Sequence, residues 1–294
     1  MGLLTKKILG INVTISSKEK ILEEIKKCLK KIQNPPSKIH NQEIKPLIIF
    51  TPNPEIITYA QNDPMFIQIV NSAQINIPDG QGVCWAIKKV YNLPIEKIPG
   101  TNFMLELCKI AAKKSLRIGL IGGRQKVALD TAECLRQSYN FLKIKIFTAS
   151  EIEIKHQESG IRNHRKEIDK IFFHSFFTIR KSNGEVIETK KYFENLYEEI
   201  KKEKIYILFI ALGFPTQEYF IHALNQQSAI NNYQLPIILM AVGGAFDYFS
   251  GRVPRAPMWM RERGLEWLYR LIREPWRLPR QLKGAEFFYK VLTS

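Results

Sequence analysis

The sequence contains no Asp-x-Asp pair and no His-Glu-x-x-His, and its four cysteines form no Cys-x-x-Cys. The first absence removes the carboxylate pair with which many nucleotide-sugar enzymes hold a divalent metal on a diphosphate. The second removes the zinc helix of metalloproteases. Cys28, Cys84, Cys108 and Cys134 stand far apart, and none is close in sequence to a histidine. Neither a zinc site nor a disulfide framework is expected, and a reducing compartment fits best. No metal and no cofactor is called for. Aspartate is itself scarce, at positions 63, 79, 130, 169 and 247 only.

Long hydrophobic runs are missing too. The longest, "LPIILMAVGGAF" at 235–246, is too short to span a bilayer. The opening "MGLLTKKILGINV" is too short and too interrupted for a signal peptide. Lys6 stands where a myristoylation signal wants Ser or Thr. A soluble or peripheral chain is expected.

Positive charge, by contrast, is plentiful. Lys and Arg number 44 against 28 Asp and Glu, a formal net charge of +16. That balance favours nucleic acid, an anionic membrane surface or phosphorylated substrates, or else it is a solvated lysine coat. With 294 residues, 45% of them hydrophobic, the chain can build a sizeable core as one large domain or one domain with an appendage.

Several strands read as solid apolar runs: "LIIF" (47–50), "INI" before Pro78, "LRIGLIGG", "KIKIFTA", "IYILFIALGF" and "LPIILMAVGG". Helical patterns alternate with them, beginning with residues 18–32 behind a Ser16 or Ser17 cap. The alternation predicts an α/β fold, a parallel sheet with helices on both faces, occupying residues 1–250. Residues 34–46 read as a polar linker. Residues 152–192 are charged and irregular and read as an insertion, either a surface loop or a flap. From 251 to 294 ten Lys/Arg face four Glu, interleaved with Trp259, Trp267, Tyr269, Trp276, Phe287 and Phe288. This basic, aromatic-rich appendage suits an interfacial helix on anionic lipid or a C-terminal helix packed on the core. A basic nucleic-acid-binding protein is the rival of another class. No nucleic-acid motif occurs, and the charge peaks beside amphipathic tryptophans, so nucleic acid is not the expected partner.

In parallel-sheet folds ligands bind at the carboxyl ends of the strands. There the chain carries "TPN", "PDG", "GG", "GFPTQE" and "GGAFD". Of the aspartates only Asp79 and Asp247 fall at these ends. Asp79 fits a general base or an Asp-Gly turn and cap. Thr51 and Asn53 fit helix caps or ligands. Gly122 and Gly123 fit a phosphate-binding helix start or close packing. Gln217 and Glu218 offer an amide and a carboxylate to a sugar hydroxyl, or simply start a helix.

"TPNPE", "IPDGQGV", "IPGTNF", "GLIGG", "ALGFPTQE" and "VGGAFDYFSGRVPRAPMWMRERGLEWLYRLIREPWR" together resemble the WecG/TagA/CpsF glycosyltransferases over about residues 8–280, apart from the 152–192 insertion. The resemblance implies a Rossmann-like sheet and an inverting, metal-independent transferase. Its substrates would be a UDP-sugar donor, with N-acetylmannosamine as the sugar, and a polyprenyl-diphosphate-linked GlcNAc acceptor in cell-surface polysaccharide synthesis. A member using a different UDP-sugar and acceptor is the alternative. The resemblance makes Asp79 the general base and Thr51, Asn53 and Gln217 substrate contacts. It places Arg263, Arg270 and Arg273 on the lipid diphosphate and implies self-association and membrane docking. The location implied is the cytoplasmic face of the membrane, or a plastid stroma, since the Lys/Ile/Asn-rich composition suits an AT-rich bacterial or plastid genome. Gly100, Thr101 and Asn102 stand where members commonly have Gly-Thr-Asp, which marks this stretch as a substrate contact that differs here.

Overall fold

The computed structural model describes residues 2–34, 45–123, 126–147, 151–154, 177–180, 185–230 and 237–293. A hairpin of β1 (Thr5–Ile8) and β2 (Ile11–Thr14) precedes α1 (Lys18–Gln33). Ser17 caps α1 by accepting from the Lys20 N–H, and Ile21, Leu22, Ile25 and Leu29 form its buried stripe. Most of the expected linker at 34–46 lies outside the described residues.

Then follow β3 (Leu47–Phe50), α2 (Pro54–Ala60), α3 (Pro64–Ser72), β4 (Ile75–Asn76), α4 (Gln81–Tyr91) and α5 (Gly100–Lys113). They are succeeded by β5 (Arg117–Gly122), α6 (Val127–Ser138), β6 (Lys143–Ile146), β7 (Glu151–Ile154), β8 (Phe177–Arg180) and β9 (Val186–Ile187). The chain continues through α7 (Thr189–Lys202), β10 (Ile205–Ala211), α8 (Thr216–Ile230) and β11 (Ile238–Ala241). It ends with α9 (Ala245–Phe249), α10 (Met258–Glu262), α11 (Glu266–Arg273), a 3-10 turn (Pro275–Arg277) and α12 (Leu278–Thr293).

Six strands form one sheet in the order β4-β3-β11-β10-β5-β6, and every pairing is parallel. Both faces are covered, as the solid apolar runs require. Leu47 and Ile49 belong to one core with α1, α5 and α6. Ile48 and Phe50 belong to the other with α2, α3, α4, α7 and α8. The common register aligns the carboxyl ends of β4, β3, β11, β10 and β5 along one edge.

One part differs from the sequence expectation, and a second follows one of its two readings. The described parts of the expected insertion are not irregular: β7, β8 and β9 pair antiparallel, and Phe177 and Ile179 are buried in the core. Burial of those two side chains is what holds the strand down; residues 155–176 and 181–184 lie outside the described residues. At the C-terminus, α12 packs on α2 and α4. Phe287 is fully buried and Phe288 meets the Trp85 ring at 5.0 Å. Phe287 and Val291 are therefore part of the core, while the exposed aromatic and apolar surface runs from residue 258 into α12: no residue of α11 is buried, Trp276 is 70% exposed and Tyr289 69%. Among the described residues no helix is long and apolar enough to cross a membrane.

Candidate active site

After β4 the chain runs beside the exit of β3: the Ile77 N–H donates to Phe50 O at 2.8 Å and the Asp79 N–H to Pro52 O at 3.2 Å. Gly80, with φ +97°, makes the turn that starts α4 and occupies its N-cap without a side-chain cap. Asp79 therefore does not cap its own helix. The backbone N–H of Gly100, in the first turn of α5, acts on its carboxyl and favours the ionised form. Gly100 is itself wedged on Thr51, since a Cβ there would lie 3.1 Å from the Thr51 Cγ2. Thr51, Asp79 and Gly100 thus form one contact set built from three separate segments.

Burial pushes the Asp79 carboxyl up to about 7. Glu266 raises it further, while Lys97 and the Gly100 N–H pull it down. A carboxyl titrating near neutrality suits a general base. Cys84, one turn into α4, is pushed by burial up to about 11 and stays a thiol at neutral pH.

The C-terminal segment closes over this edge. The Lys97 Nζ donates to Arg261 O at 3.1 Å. Gly264, with φ +73°, rests on Gln81, where a Cβ would come within 2.5 Å of the Gln81 Cγ. Arg255 donates to Asn102 Oδ1 at 2.7 Å and to Thr101 Oγ1 at 3.2 Å. Arg270 lies against Gly244, stacks 5.0 Å from the Tyr248 ring, and pairs with Glu274 at 2.6 Å and Asp247 at 3.3 Å.

Other expected residues have internal duties. Asn53 caps α2, its Oδ1 accepting from the Ile56 N–H at 2.9 Å. Gln217 is buried; its Oε1 accepts from the Gly243 N–H and its Nε2 donates to the buried Glu218, both at 2.9 Å. The pair fastens the turn after β10 to the turn after β11. Gly122 abuts β10, where a Cβ would sit 2.5 Å from Ala211 O, and the Gly123 N–H donates to that same oxygen. Close approach to β10 accounts for Gly122, whereas Gly123, with φ +79°, lies against the start of α6, where a Cβ would come within 3.3 Å of Val127 Cβ and the Ala128 N. Both glycines lie four strand positions from β4, about 19 Å at the usual spacing. Arg263 and Arg273 are exposed and stack over Trp259 and Tyr269. Among the described residues no three His, Cys, Asp or Glu side chains gather to hold a metal ion.

Sequence reasoning missed Lys97, Arg255, Arg261 and Glu266. Lys97 stands directly before the "IPG" that leads into α5, a proximity that could have flagged it. The other three reach the site only through the fold of the C-terminal segment.

The comparisons fit this edge of a parallel sheet. Residues 6–294 match the Glycosyl transferase WecG/TagA/CpsF family. The chain belongs to that family. It is 30% identical over 248 residues to an N-acetylglucosaminyldiphosphoundecaprenol N-acetyl-beta-D-mannosaminyltransferase of Bacillus subtilis (strain 168), covering 83% of this chain and 78% of the relative. It is 27% identical over 263 residues to a protein of the same description from Staphylococcus aureus (strain MW2), covering 90% and 86%. As a member of the WecG/TagA/CpsF family the chain is a glycosyltransferase with a Rossmann-like parallel sheet.

Proposed function

We propose that the protein transfers an N-acetylhexosamine, N-acetylmannosamine in the first instance, from UDP to a polyprenyl-diphosphate-linked GlcNAc, with inversion and without a metal. The names of the relatives supply the sugar and the acceptor class. The observation that carries the reading is Asp79, held at the sheet's carboxyl edge with its carboxyl at about 7.

In this mechanism the Asp79 carboxylate takes the proton of an acceptor hydroxyl. The freed oxygen forms a bond to the donor's anomeric carbon from the face opposite UDP. The bond from that carbon to the diphosphate oxygen breaks, and UDP leaves with the electron pair. Thr51 and the first turn of α5, Gly100 to Asn102, shape the wall beside the reacting hydroxyl. Asn53, Gln217 and Glu218 support the surrounding turns, and Gly122 and Gly123 keep β5 close to β10. Cations and helix starts take the place of a metal on the leaving diphosphate.

Arg263, Arg270 and Arg273 serve the acceptor's diphosphate at the membrane. Trp259, Trp267, Ile272 and Trp276 are all about half exposed or more and enter the headgroup zone. The enzyme thus works as a peripheral protein on the membrane face that holds its UDP-sugar, and self-association would double its membrane contact.

The test is turnover with a panel of UDP-sugars and a short-chain diphosphate-linked GlcNAc, with and without chelator. Transfer of N-acetylmannosamine, unchanged by chelator, is expected. Absence of transfer from any UDP-sugar would overturn the reading, and loss of activity with chelator would overturn its metal-free form.

A further inference from the structure

The helices that follow β3 and β4 interlock at their starts. Pro54 opens α2, behind Thr51 and the capping Asn53. Its ring lies against the beginning of α4. A Cβ on Gly80 would come within 3.8 Å of Pro54 Cδ, and one on Gly82 within 2.6 Å of Pro54 Cγ. Position 82 therefore needs a residue without a Cβ. The same missing Cβ would lie 3.1 Å from Phe288 Cζ, so the Phe288 ring, on α12, closes the notch from the other side. That ring also meets Trp85 on α4 at 5.0 Å and Phe287 at 5.5 Å.

Other side chains hold α12 down. Phe287 and Val291 are buried, and they share one core with Ile56 and Ile57 of α2 and Val83, Ala86 and Ile87 of α4. Apolar burial of that size anchors a helix without further help. Phe288 stays 39% exposed, with its ring edge on the first turn of α4. The turns that precede the two helices are joined by the Asp79 N–H to Pro52 O bond, which at 3.2 Å is at the long end of the usual range. Beyond that bond, Pro54, Gly82 and Phe288 pack the two helix starts together. Thr51 stands three residues before Pro54, and Asp79 three before Gly82. A shift at the notch is thus a shift of the carboxylate relative to the Thr51 hydroxyl. Misplacing a reacting group by about 1 Å costs on the order of a hundredfold in rate.

We propose that Phe288 is a positioning residue for the transfer: wedged against Gly82 and beside Pro54, it keeps the turn of Thr51 and the turn of Asp79 in register on one acceptor hydroxyl. The role in transfer rests on the glycosyl-transfer reading; the interlock itself does not. Phe288 acts through Gly82 and Pro54. Its effect falls on kcat, because the base is moved while the remaining substrate contacts stay in place.

Two variants of the full chain approach the notch from opposite sides. Phe288→Ala empties it, and Gly82→Ala overfills it. Alanine is ordinarily the better helix residue, so a defect in Gly82→Ala comes from the notch. Tyr289→Ala, on the same helix with its ring 69% exposed, is the control. Each protein is assayed with a UDP-sugar and a short-chain diphosphate-linked GlcNAc, and amide hydrogen exchange is followed over residues 49–58 and 76–84. In both notch variants kcat falls roughly 10- to 100-fold, with both KM values within about threefold of wild type. Exchange in the two segments quickens by about tenfold, while that of β10 is unchanged. Tyr289→Ala matches wild type in both measurements. Should either notch variant fail to fold, Phe288→Leu carries the test, since it keeps an apolar side chain but loses the ring edge on Gly82; a several-fold loss of kcat is then expected. Unchanged exchange, kcat within about twofold of wild type, or a raised KM at unchanged kcat in folded variants would overturn the proposal. If the wild type transfers no sugar from any UDP-sugar, the glycosyl-transfer reading falls and exchange alone decides: faster exchange in the notch variants upholds the interlock, and unchanged exchange refutes it.

Discussion

The backbone N–H of Asp79 donates to Pro52 O at 3.2 Å, so the turn after β4 is joined to the turn after β3. The contact sets Asp79 beside Thr51, against which Gly100 packs. The Gly100 N–H favours the ionised form that burial and Glu266 disfavour. The balance leaves a base that is deprotonated in substantial part at neutral pH.

The pH dependence of kcat/KM follows from that balance. Activity rises with pH through about 7 as Asp79 loses its proton. Glu266→Gln removes a neighbouring negative charge and moves the rising limb to lower pH. Lys97→Gln removes a positive charge and moves it higher. A pH–rate series on the three proteins checks both directions; shifts of the same sign in the two variants would contradict this electrostatic account.

Stability carries the same signature. The folded carboxyl titrates at about 7 against 3.8 for the ordinary group, so the folded state holds a proton that the unfolded state releases. Stability contributed by this group is therefore fully present below pH 3.8 and is lost as pH rises towards 7. Asp79→Asn removes the loss, and its melting-temperature advantage should grow across that window and then level off. The full effect is on the order of a few kcal/mol. A variant no more stable than wild type at pH 8 would count against the raised carboxyl.

Gln217 should behave as a structural residue. Gln217→Leu leaves the Gly243 N–H without its acceptor and the buried Glu218 without its amide partner. A stability loss of about 1–3 kcal/mol is expected by chemical denaturation, with the UDP-sugar KM changed little in the folded fraction. A large KM rise at unchanged stability would restore it as a sugar contact.

Much of the architecture was readable in advance. "LIIF" and "IYILFIA" are apolar at successive positions because both sheet faces are buried, and alternation with helices then dictates parallel strands. Asp79 stood out because so few aspartates exist and it ends a strand. That the Gly100 N–H acts on its carboxyl was not readable, because Gly100 lies on a different helix and a backbone N–H leaves no mark in a sequence. Gln217 read as a sugar contact or a helix start; its burial against Gly243 is a tertiary fact that spacing does not show. Arg255 and Arg261 were indistinguishable from eight other C-terminal cations until the fold brought them to Asn102 and Lys97. Phe287, which read as part of either an interfacial or a core-packed helix, is core because α12 turns back onto α2 and α4.

The exposed tryptophans predict salt-sensitive membrane association. Trp267→Ala with Trp276→Ala should reduce flotation with anionic liposomes several-fold while leaving UDP affinity unchanged, because neither ring is buried. Equal flotation with neutral and anionic vesicles would contradict the part assigned to the arginines.

The most direct test of the account is the single-turnover rate of Asp79→Asn, measured beside its affinity for UDP. The account predicts a rate lower by about 100- to 10,000-fold, the usual contribution of a general base, with UDP affinity retained. A folded Asn variant that transfers sugar at near the wild-type rate would contradict it.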